Sequence, residues 1–520
     1  MPLFSIAFAA IVAAAWLGWW FKRVSVKHIN GPPSASFWLG HELVLRSQEE
    51  FGDLETKWRR EYGTVYRIGG CFGQDLLVVS DPKALEHIFH PSRPYPKTSD
   101  VNFIFGLILG GFGGLIVAEK EDHHRQRKIL NPAFSSTNLR NSQVIFQRCS
   151  DKVVNALKLC TTTEPIDVVH WMSRVSLDII GLRKWYQWSF YAAGLTLPTG
   201  AFRYDFGSLD GRDTELEIAM KHLFTASQSN PSSVELMVVA LIRMLPNSVL
   251  QILKLLPTRE IRQLASVGEI ARKTAREILT TYGVQDGTDK DIVDILTRAR
   301  HTGQMRDDEI ELQFITFLLA GHETTATNLS WLLYELAAHP EHQSIIREEV
   351  KHSYHDDYGS LPFLNAVIKE SLRLHPIVHT PTRTAPHDDV LPLTGSKTLA
   401  IPKGQTIFCS AYLYNRLPSI WGADAEEWNP ARFLDKTIPI SLGVYANLMS
   451  FSSGSRSCIG WRFAVMEMQT VLANLIQNFE FRLPEGVVIQ QFPGAQAIMP
   501  VVKGEAYLGS RVPLKVTILE

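Results

Sequence analysis

The most informative residues lie in a glycine-punctuated loop, FSSGSRSCIG at positions 451–460, which presents Cys458 just before a predicted helix. Glycine lets the backbone turn sharply and approach a neighbouring group closely. A sulfur at the start of a helix lies among free backbone N–H groups, which favour the thiolate over the thiol. Taken alone, the pattern leaves two interpretations of Cys458, a thiolate ligand and an inert buried cysteine.

A second candidate site is Ala320-Gly321-His322-Glu323-Thr324, inside the clearest helix that the sequence predicts. A threonine within a helix commonly donates its hydroxyl to the carbonyl one turn earlier, which bends the helix slightly. Small neighbours leave room beside the helix, however, and an acid beside an alcohol can relay protons. The stretch therefore has two interpretations, a helix bend and a proton-transfer site.

The 451–460 loop matches the haem-binding loop of the cytochromes P450 at six positions, and the whole chain resembles that family. The resemblance implies that Cys458 binds the iron of heme b through its thiolate. Glu370 and Arg373, whose i, i+3 spacing is otherwise typical of a surface ion pair, resemble the family's ExxR motif. Arg432, in WNPARF, resembles the arginine that joins that pair. We expect these three residues to form a buried structural network.

Four basic residues are expected to bind the two haem propionates: Arg456, Arg383, His123 and Arg127. Arginine suits such carboxylates because its guanidinium donates two parallel hydrogen bonds. His123 stands where the family has tryptophan, and its imidazole can also donate to a carboxylate. For His123 and Arg127 the alternative is a solvated helix face.

The resemblance also assigns the residues of the second site. Three residues are expected to line the cofactor site: Phe451, Ala320 and Gly321. Glu323 and Thr324 resemble the family's acid–alcohol pair, which delivers protons during oxygen activation. His322 is interpreted as a packing residue, because Cys458 already supplies the axial ligand.

The activity implied is a monooxygenase that inserts one oxygen atom from O2 into an apolar organic substrate. Electrons are expected from NADPH through a separate NADPH–cytochrome P450 reductase, with cytochrome b5 as a second candidate partner. Arg125 and Lys128 are expected on a surface that attracts an acidic redox partner. Two alternatives are a haem-thiolate isomerase or dehydratase and a haem-thiolate binding or sensing protein. The fungal style of the motifs favours secondary metabolism or xenobiotic oxidation.

Composition sets wider bounds on function. The 520 residues include 45% hydrophobic and 20% charged side chains, enough apolar material to enclose a large cofactor. A formal net charge of -1 argues against a nucleic-acid partner, because no basic excess exists to neutralise phosphates. The five cysteines are scattered without a CxxC pair, which favours a reducing compartment.

An uncharged run at residues 3–21 predicts an N-terminal transmembrane helix, because roughly 20 apolar residues span a bilayer. Tryptophans gather at its end and Lys22 and Arg23 follow, so the chain beyond it is expected in the cytosol. The prediction is a single-pass protein of the endoplasmic reticulum membrane, with residues 1–30 as anchor and 31–520 as catalytic domain. A cleaved signal peptide fits less well, since the charges follow the apolar run.

The predicted fold class is mainly α with small β-sheets, that is, a cytochrome P450 fold after the anchor. Helical spacing dominates residues 120–380, and the clearest helix runs from Asp307 to about Ala338, with another beginning just beyond Cys458. Residues 65–68 and 76–79 are short β-rich runs. Residues 183–200 read as an atypical insertion, for which an unspliced intron is one hypothesis that transcript sequencing would test.

Overall fold

One long helix forms the centre of the structure, a computed structural model, and smaller elements pack around it. The structure describes residues 25–160, 164–181, 204, 206–212, 214–219, 231–245, 249–250, 259–281, 292–353, 357–434, 442–493 and 497–519. Its helices are α1 (Glu42–Arg46), α2 (Asp53–Tyr62), α3 (Pro82–Ile88), α4 (Ser99–Ile108), α5 (Lys120–Leu130), α6 (Ser136–Cys160), α7 (Val168–Gly181), α8 (Ser233–Met244), α9 (Arg259–Thr281), α10 (Ile292–His301), α11 (Asp307–Ala338), α12 (Pro340–Lys351), α13 (Pro362–Leu374), α14 (Ala411–Tyr414), α15 (Pro418–Trp421) and α16 (Trp461–Asn478).

Small sheets accompany the helices, as the predicted fold class requires. The strands are β1 (Val65–Gly69), β2 (Asp75–Val79), β3 (Ile166–Asp167), β4 (Thr382–Thr384), β5 (Asp389–Leu393), β6 (Lys397–Ile401), β7 (Thr406–Cys409), β8 (Phe479–Arg482), β9 (Ile489–Pro493), β10 (Ile498–Val502) and β11 (Pro513–Ile518). The described strands form sheets in the orders β1-β2-β7-β4, β3-β11-β8, β9-β10 and β5-β6. In the first sheet β4 runs antiparallel to β7, with Arg383 opposite Ile407.

The central helix α11 spans Asp307–Ala338, as predicted. Its first turn is acidic, and the positive end of the helix dipole stabilises carboxylates there. The Glu309 carboxylate also accepts a hydrogen bond from the Arg306 backbone N–H at 2.9 Å. Most residues of α11 are buried. Its first half packs in one hydrophobic cluster with α9 and α10, and its second half packs in another with α6, α13 and α16. The helix therefore joins both halves of the core.

Two predictions concern segments that the structure does not describe. The proposed anchor at residues 3–21 lies outside the described residues, as does the atypical segment 183–200. Within the described ranges no helix is both long enough and apolar enough to cross a bilayer.

A buried ion network ties α13 to the chain that follows β7. The Arg373 guanidinium donates two hydrogen bonds to Glu370, each 2.8 Å long, and Arg432 Nε donates a third at 3.1 Å. The side chains of Glu370 and Arg373 are fully buried, and Arg432 is 4% exposed. Arg373 also donates to the backbone carbonyl of Asn415 at 2.9 Å. The predicted three-residue network is thus confirmed by its contacts.

We expect Glu370→Gln to lower the free energy of unfolding by about 3–5 kcal/mol, because two buried guanidinium groups would lose their shared carboxylate. Urea unfolding of the full chain, followed by tryptophan fluorescence, measures the change. The matched control is Glu86→Gln, which removes the exposed i, i+3 partner of Lys83 and should cost less than about 1 kcal/mol. Equal effects of the two substitutions would contradict a structural role for Glu370.

Candidate active site

The cysteine loop is held in shape by its own backbone. The Cys458 N–H donates to the Phe451 carbonyl at 2.8 Å, and Gly460 caps the start of α16. Gly454 has a φ of +65°, and a Cβ at this position would collide with the carbonyl oxygen of Phe89. Glycine is therefore required there, which explains part of the motif. The sequence and the backbone together present Cys458 immediately before a helix.

The Cys458 side chain is exposed, although protein surrounds it closely. Burial raises the pKa of its thiol, while the Gly460 backbone N–H and the Arg127 guanidinium act in the opposite direction. A side chain can be both accessible and surrounded when it faces an internal space instead of bulk water. The sulfur is thus accessible to a ligand or metal.

Helix α5 and strand β4 bring basic side chains to the cysteine loop. Arg127 donates to the backbone carbonyl of Ser457 at 2.6 Å and to its hydroxyl at 3.2 Å. Arg456 donates to the carbonyl of Ala118 at 2.7 Å. Arg383 is 4% exposed and lies over the ring of Phe89, 4.9 Å from its centroid. Hydrogen bonds to the cysteine loop or to the chain beside it therefore hold Arg127 and Arg456 in place.

Lys97 is a further member that the sequence did not reveal, and we call Lys97, His123, Arg127, Arg383 and Arg456 the basic cluster. Burial, followed by the charges of Arg383 and Arg456, lowers the pKa of Lys97 to about 7, against the opposing charge of Glu119. Burial and the same kind of repulsion lower the pKa of His123 to about 3. The positive charges of the cluster repel one another, and an anionic ligand would reduce this repulsion.

The residues present fit a haem. Its propionates are carboxylates, which the basic cluster can bind with charge-assisted hydrogen bonds. The Cys458 sulfur, two residues from Arg456, can serve as the axial ligand of the iron. Phe451 is half-buried, and its ring packs edge-on against Tyr445 at 6.1 Å between centroids.

The central helix has an open position within its buried length. Ala320 is exposed, whereas Leu318 and Leu319 before it are buried. The Thr324 hydroxyl donates to the Ala320 carbonyl at 2.6 Å, as expected for a threonine within a helix. Its oxygen lone pairs remain able to accept a proton or hydrogen bond from this open side. Both interpretations of the stretch are thus compatible with the same geometry.

A phenylalanine connects the central helix to the cysteine loop. The Phe134 ring lies 5.4 Å from that of Phe317 on α11, measured between centroids. A Cβ on Gly460 would lie 3.7 Å from the same Phe134 ring. Ile459 also packs against the cluster that contains the first half of α11. The Cys458 loop and the Ala320–Thr324 stretch therefore belong to one contiguous region.

A cavity of about 590 Å³ adjoins this region. It is bounded by α4, the start of α5, the glycine-rich run at 110–114 and the first turns of α11. Its lining combines apolar residues, among them Phe103, Phe112 and Leu312, with charged ones, among them Glu119 and Arg272. Ala118, whose carbonyl binds Arg456, also lines it, so the cavity reaches the basic cluster.

The prediction for Arg125 needs correction. Arg125 Nη2 pairs with the buried Glu309 carboxylate at 2.5 Å, and Nη1 donates to the Gln304 carbonyl at 2.7 Å. The guanidinium is thus held against α11 and is not freely available to a redox partner, since breaking this pair would leave a buried carboxylate. Lys128 is exposed, as predicted.

Known proteins match this chain over most of its length. The family model described as Cytochrome P450 matches residues 30–183 and 184–506. Cytochrome P450 monooxygenase 81 of Postia placenta is 31% identical, over 98% of this chain and 96% of its own. Cytochrome P450 monooxygenase claU of Ampulloclitocybe clavipes is 30% identical, over 96% of this chain and 94% of its own.

Lys97 should make the stability of the haem-free chain depend on pH. Between a folded pKa of about 7 and an unfolded value near 10.4, the unfolded chain holds a proton that the folded chain lacks. Stability should therefore rise with pH, by roughly 1–2.5 kcal/mol from pH 7 to 9. Urea midpoints should lose this rise in Lys97→Met and keep it in the exposed control Lys83→Met. Equal slopes in wild type and Lys97→Met would contradict the assignment.

Proposed function

Because this chain belongs to the cytochrome P450 family, we propose that it is a haem-thiolate monooxygenase that oxidises apolar organic molecules. The observation that carries the proposal is the combination of an accessible Cys458 thiol with the basic cluster beside it. This arrangement supplies an axial ligand and partners for two carboxylates, which together define a haem site. The relatives from Postia placenta and Ampulloclitocybe clavipes are named monooxygenases, which favours the same reaction here.

Each predicted site residue then has a definite role. Cys458 binds the iron, and the basic cluster holds the propionates. Phe451, Ala320 and Gly321 line the cofactor. When bound, haem supplies the redox chemistry that splits dioxygen and transfers one oxygen atom to the substrate. The chain contributes the ligand, the dry pocket and the supply of protons.

Glu323 and Thr324 are assigned to proton transfer. The Glu323 side chain is 13% exposed, so it has limited contact with solvent while standing next to the open position at Ala320. The Thr324 hydroxyl, oriented by its bond to the Ala320 carbonyl, can accept a proton from the acid side and present one to the pocket. A carboxylate and an alcohol in sequence move a proton without admitting bulk water.

The electrons come from outside this chain. We propose NADPH as their source and NADPH–cytochrome P450 reductase as the carrier, with cytochrome b5 as an additional donor. Lys128 on α5 is exposed and follows Arg127, which contacts the residue before Cys458. An acidic partner docking at Lys128 would therefore approach the cysteine side of the site.

The substrate is proposed to enter through the cavity of about 590 Å³. Its size suits a small organic molecule; the phenylalanine, valine and leucine part of the lining favours apolar surface, and the charged part can bind polar substituents. Secondary metabolism or xenobiotic oxidation is the proposed setting, by analogy with the fungal family members. The geometry does not single out one compound.

Membrane attachment is proposed to combine the apolar run at 3–21 with a second surface. Phe37, Trp38, Val234 and Val238 are between 43% and 64% exposed. They adjoin a small apolar cluster built by α8 and residues 39–72, and exposed apolar patches of this kind favour contact with lipid.

Carbonate extraction of expressing membranes should leave the chain in the pellet, and its release would contradict attachment.

Thr324→Ala should uncouple electron use from product formation. With reductase, NADPH and an apolar dealkylation substrate such as 7-ethoxycoumarin, NADPH consumption should continue while product per NADPH falls by about tenfold or more. Hydrogen peroxide should account for the difference, because protons no longer arrive in order. The matched control is Thr280→Ala, which removes a similar helix back-bond from an exposed face. Unchanged coupling in Thr324→Ala would contradict the assigned role.

A further inference from the structure

His322 is buried between the central helix and α7. Its side chain is 2% exposed. The Nε2 atom lies 3.0 Å from the backbone carbonyl of Ser173 and 2.9 Å from the Ser173 hydroxyl. The helices approach closely here, because a Cβ on Gly321 would collide with the side chain of Ile180 on α7. A glycine in the motif thus allows a histidine of one helix to bond the other.

The contacts of Nε2 determine which ring nitrogen carries the proton. A carbonyl oxygen only accepts hydrogen bonds, so a nitrogen 3.0 Å from the Ser173 carbonyl must donate. His322 therefore carries a hydrogen on Nε2, and in the neutral ring Nδ1 has a lone pair. Nδ1 is buried and has no hydrogen-bond partner among the described residues.

The carboxyl of Glu323 lies beside that lone pair. Its Oε1 atom lies 3.7 Å from His322 Nδ1 and 3.5 Å from the Ser173 hydroxyl. Two lone pairs facing each other in a buried site repel, whereas one proton between them attracts both. At 3.7 Å the two atoms are within ion-pair distance, so a proton on either one would be attracted by the other. Ser173 is only partly buried, and its hydroxyl lies within hydrogen-bond distance of both His322 and Glu323.

We propose that Ser173 and His322 form the route by which protons from solvent recharge Glu323. This inference rests on the proposed role of Glu323 and Thr324. The Ser173 hydroxyl passes its proton to Glu323 Oε1 and takes another from solvent, and His322 Nδ1 beside the same oxygen can hold the transferred proton in turn. Glu323 then delivers its proton toward Thr324 and is protonated again from this reserve. His322 is therefore a positioning and proton-storing residue, in place of the packing residue that the sequence suggested.

A purely structural tether between α7 and α11 is the competing explanation. The substitution His322→Gln separates the two, because the glutamine amide can still donate to the Ser173 carbonyl but cannot store a proton. Ser173→Ala is the second variant, because it removes the hydroxyl and keeps the carbonyl to which His322 donates. A tether would survive both substitutions, whereas the proton route would be broken by each.

The test uses the full-length haem-loaded protein with reductase, NADPH and 7-ethoxycoumarin. We expect each variant to keep the wild-type melting temperature and carbon monoxide spectrum. Product per NADPH should fall by about tenfold, with more peroxide and a larger solvent deuterium isotope effect. In ¹⁵N-histidine NMR, the signal absent from His322→Gln should show a hydrogen on Nε2 in the wild type.

The outcomes separate this inference from the function on which it depends. Wild-type coupling and isotope effect in Ser173→Ala would overturn the proton route, even where His322→Gln fails to fold. An NMR signal with the neutral ring protonated only on Nδ1 would also overturn it. Unchanged coupling in Thr324→Ala would instead indicate that the acid–alcohol role itself is wrong, whatever the behaviour of His322.

Discussion

Positive charge gathered away from bulk water is the constraint on which the site depends. The basic cluster brings three arginines and a lysine together beside the imidazole of His123, whose pKa of about 3 leaves it neutral, and the carboxylate of Glu119 opposes their charge. Such charges repel strongly where water screens them poorly, and an anionic ligand with two carboxylates relieves that repulsion. Arg127 and Arg456 also bond the chain on either side of the site. Binding of the anion and order in the cysteine loop are therefore physically linked.

The rest of the fold keeps this arrangement in place. The Glu370 network satisfies buried charges on the far side of α13, and α11 joins the two large hydrophobic clusters. A small gap in the packing of α11 at Ala320 gives the site its open face. Close packing of α7 at Gly321 provides the contact from Ser173 to the acid beside it. Neighbouring residues of α11 thus have different effects: Ala320 leaves the site accessible, and Gly321 allows close packing against α7.

Local features of the sequence predicted local structure well. Acidic residues followed by a nearly continuous apolar run predicted α11 with its observed ends, and the family resemblance implied Arg432 beside Glu370. Contacts between distant segments were harder to predict. Lys97 stands in an irregular loop without periodicity, and the pairing of Arg125 with Glu309 spans 184 positions. A charged side chain can be free at the surface or paired with a buried group. The outcome depends on tertiary packing, which local patterns in one sequence do not reveal.

The central claim is thiolate ligation of haem by Cys458, and one spectrum tests it most directly. The full-length protein in its expressing membranes is reduced with dithionite, and the carbon monoxide difference spectrum is recorded for wild type and Cys458→Ala. The account predicts a strongly red-shifted Soret band in the wild type that is lost in the variant. An ordinary haem-protein Soret band in the wild type, or a red-shifted band that persists in Cys458→Ala, would contradict it.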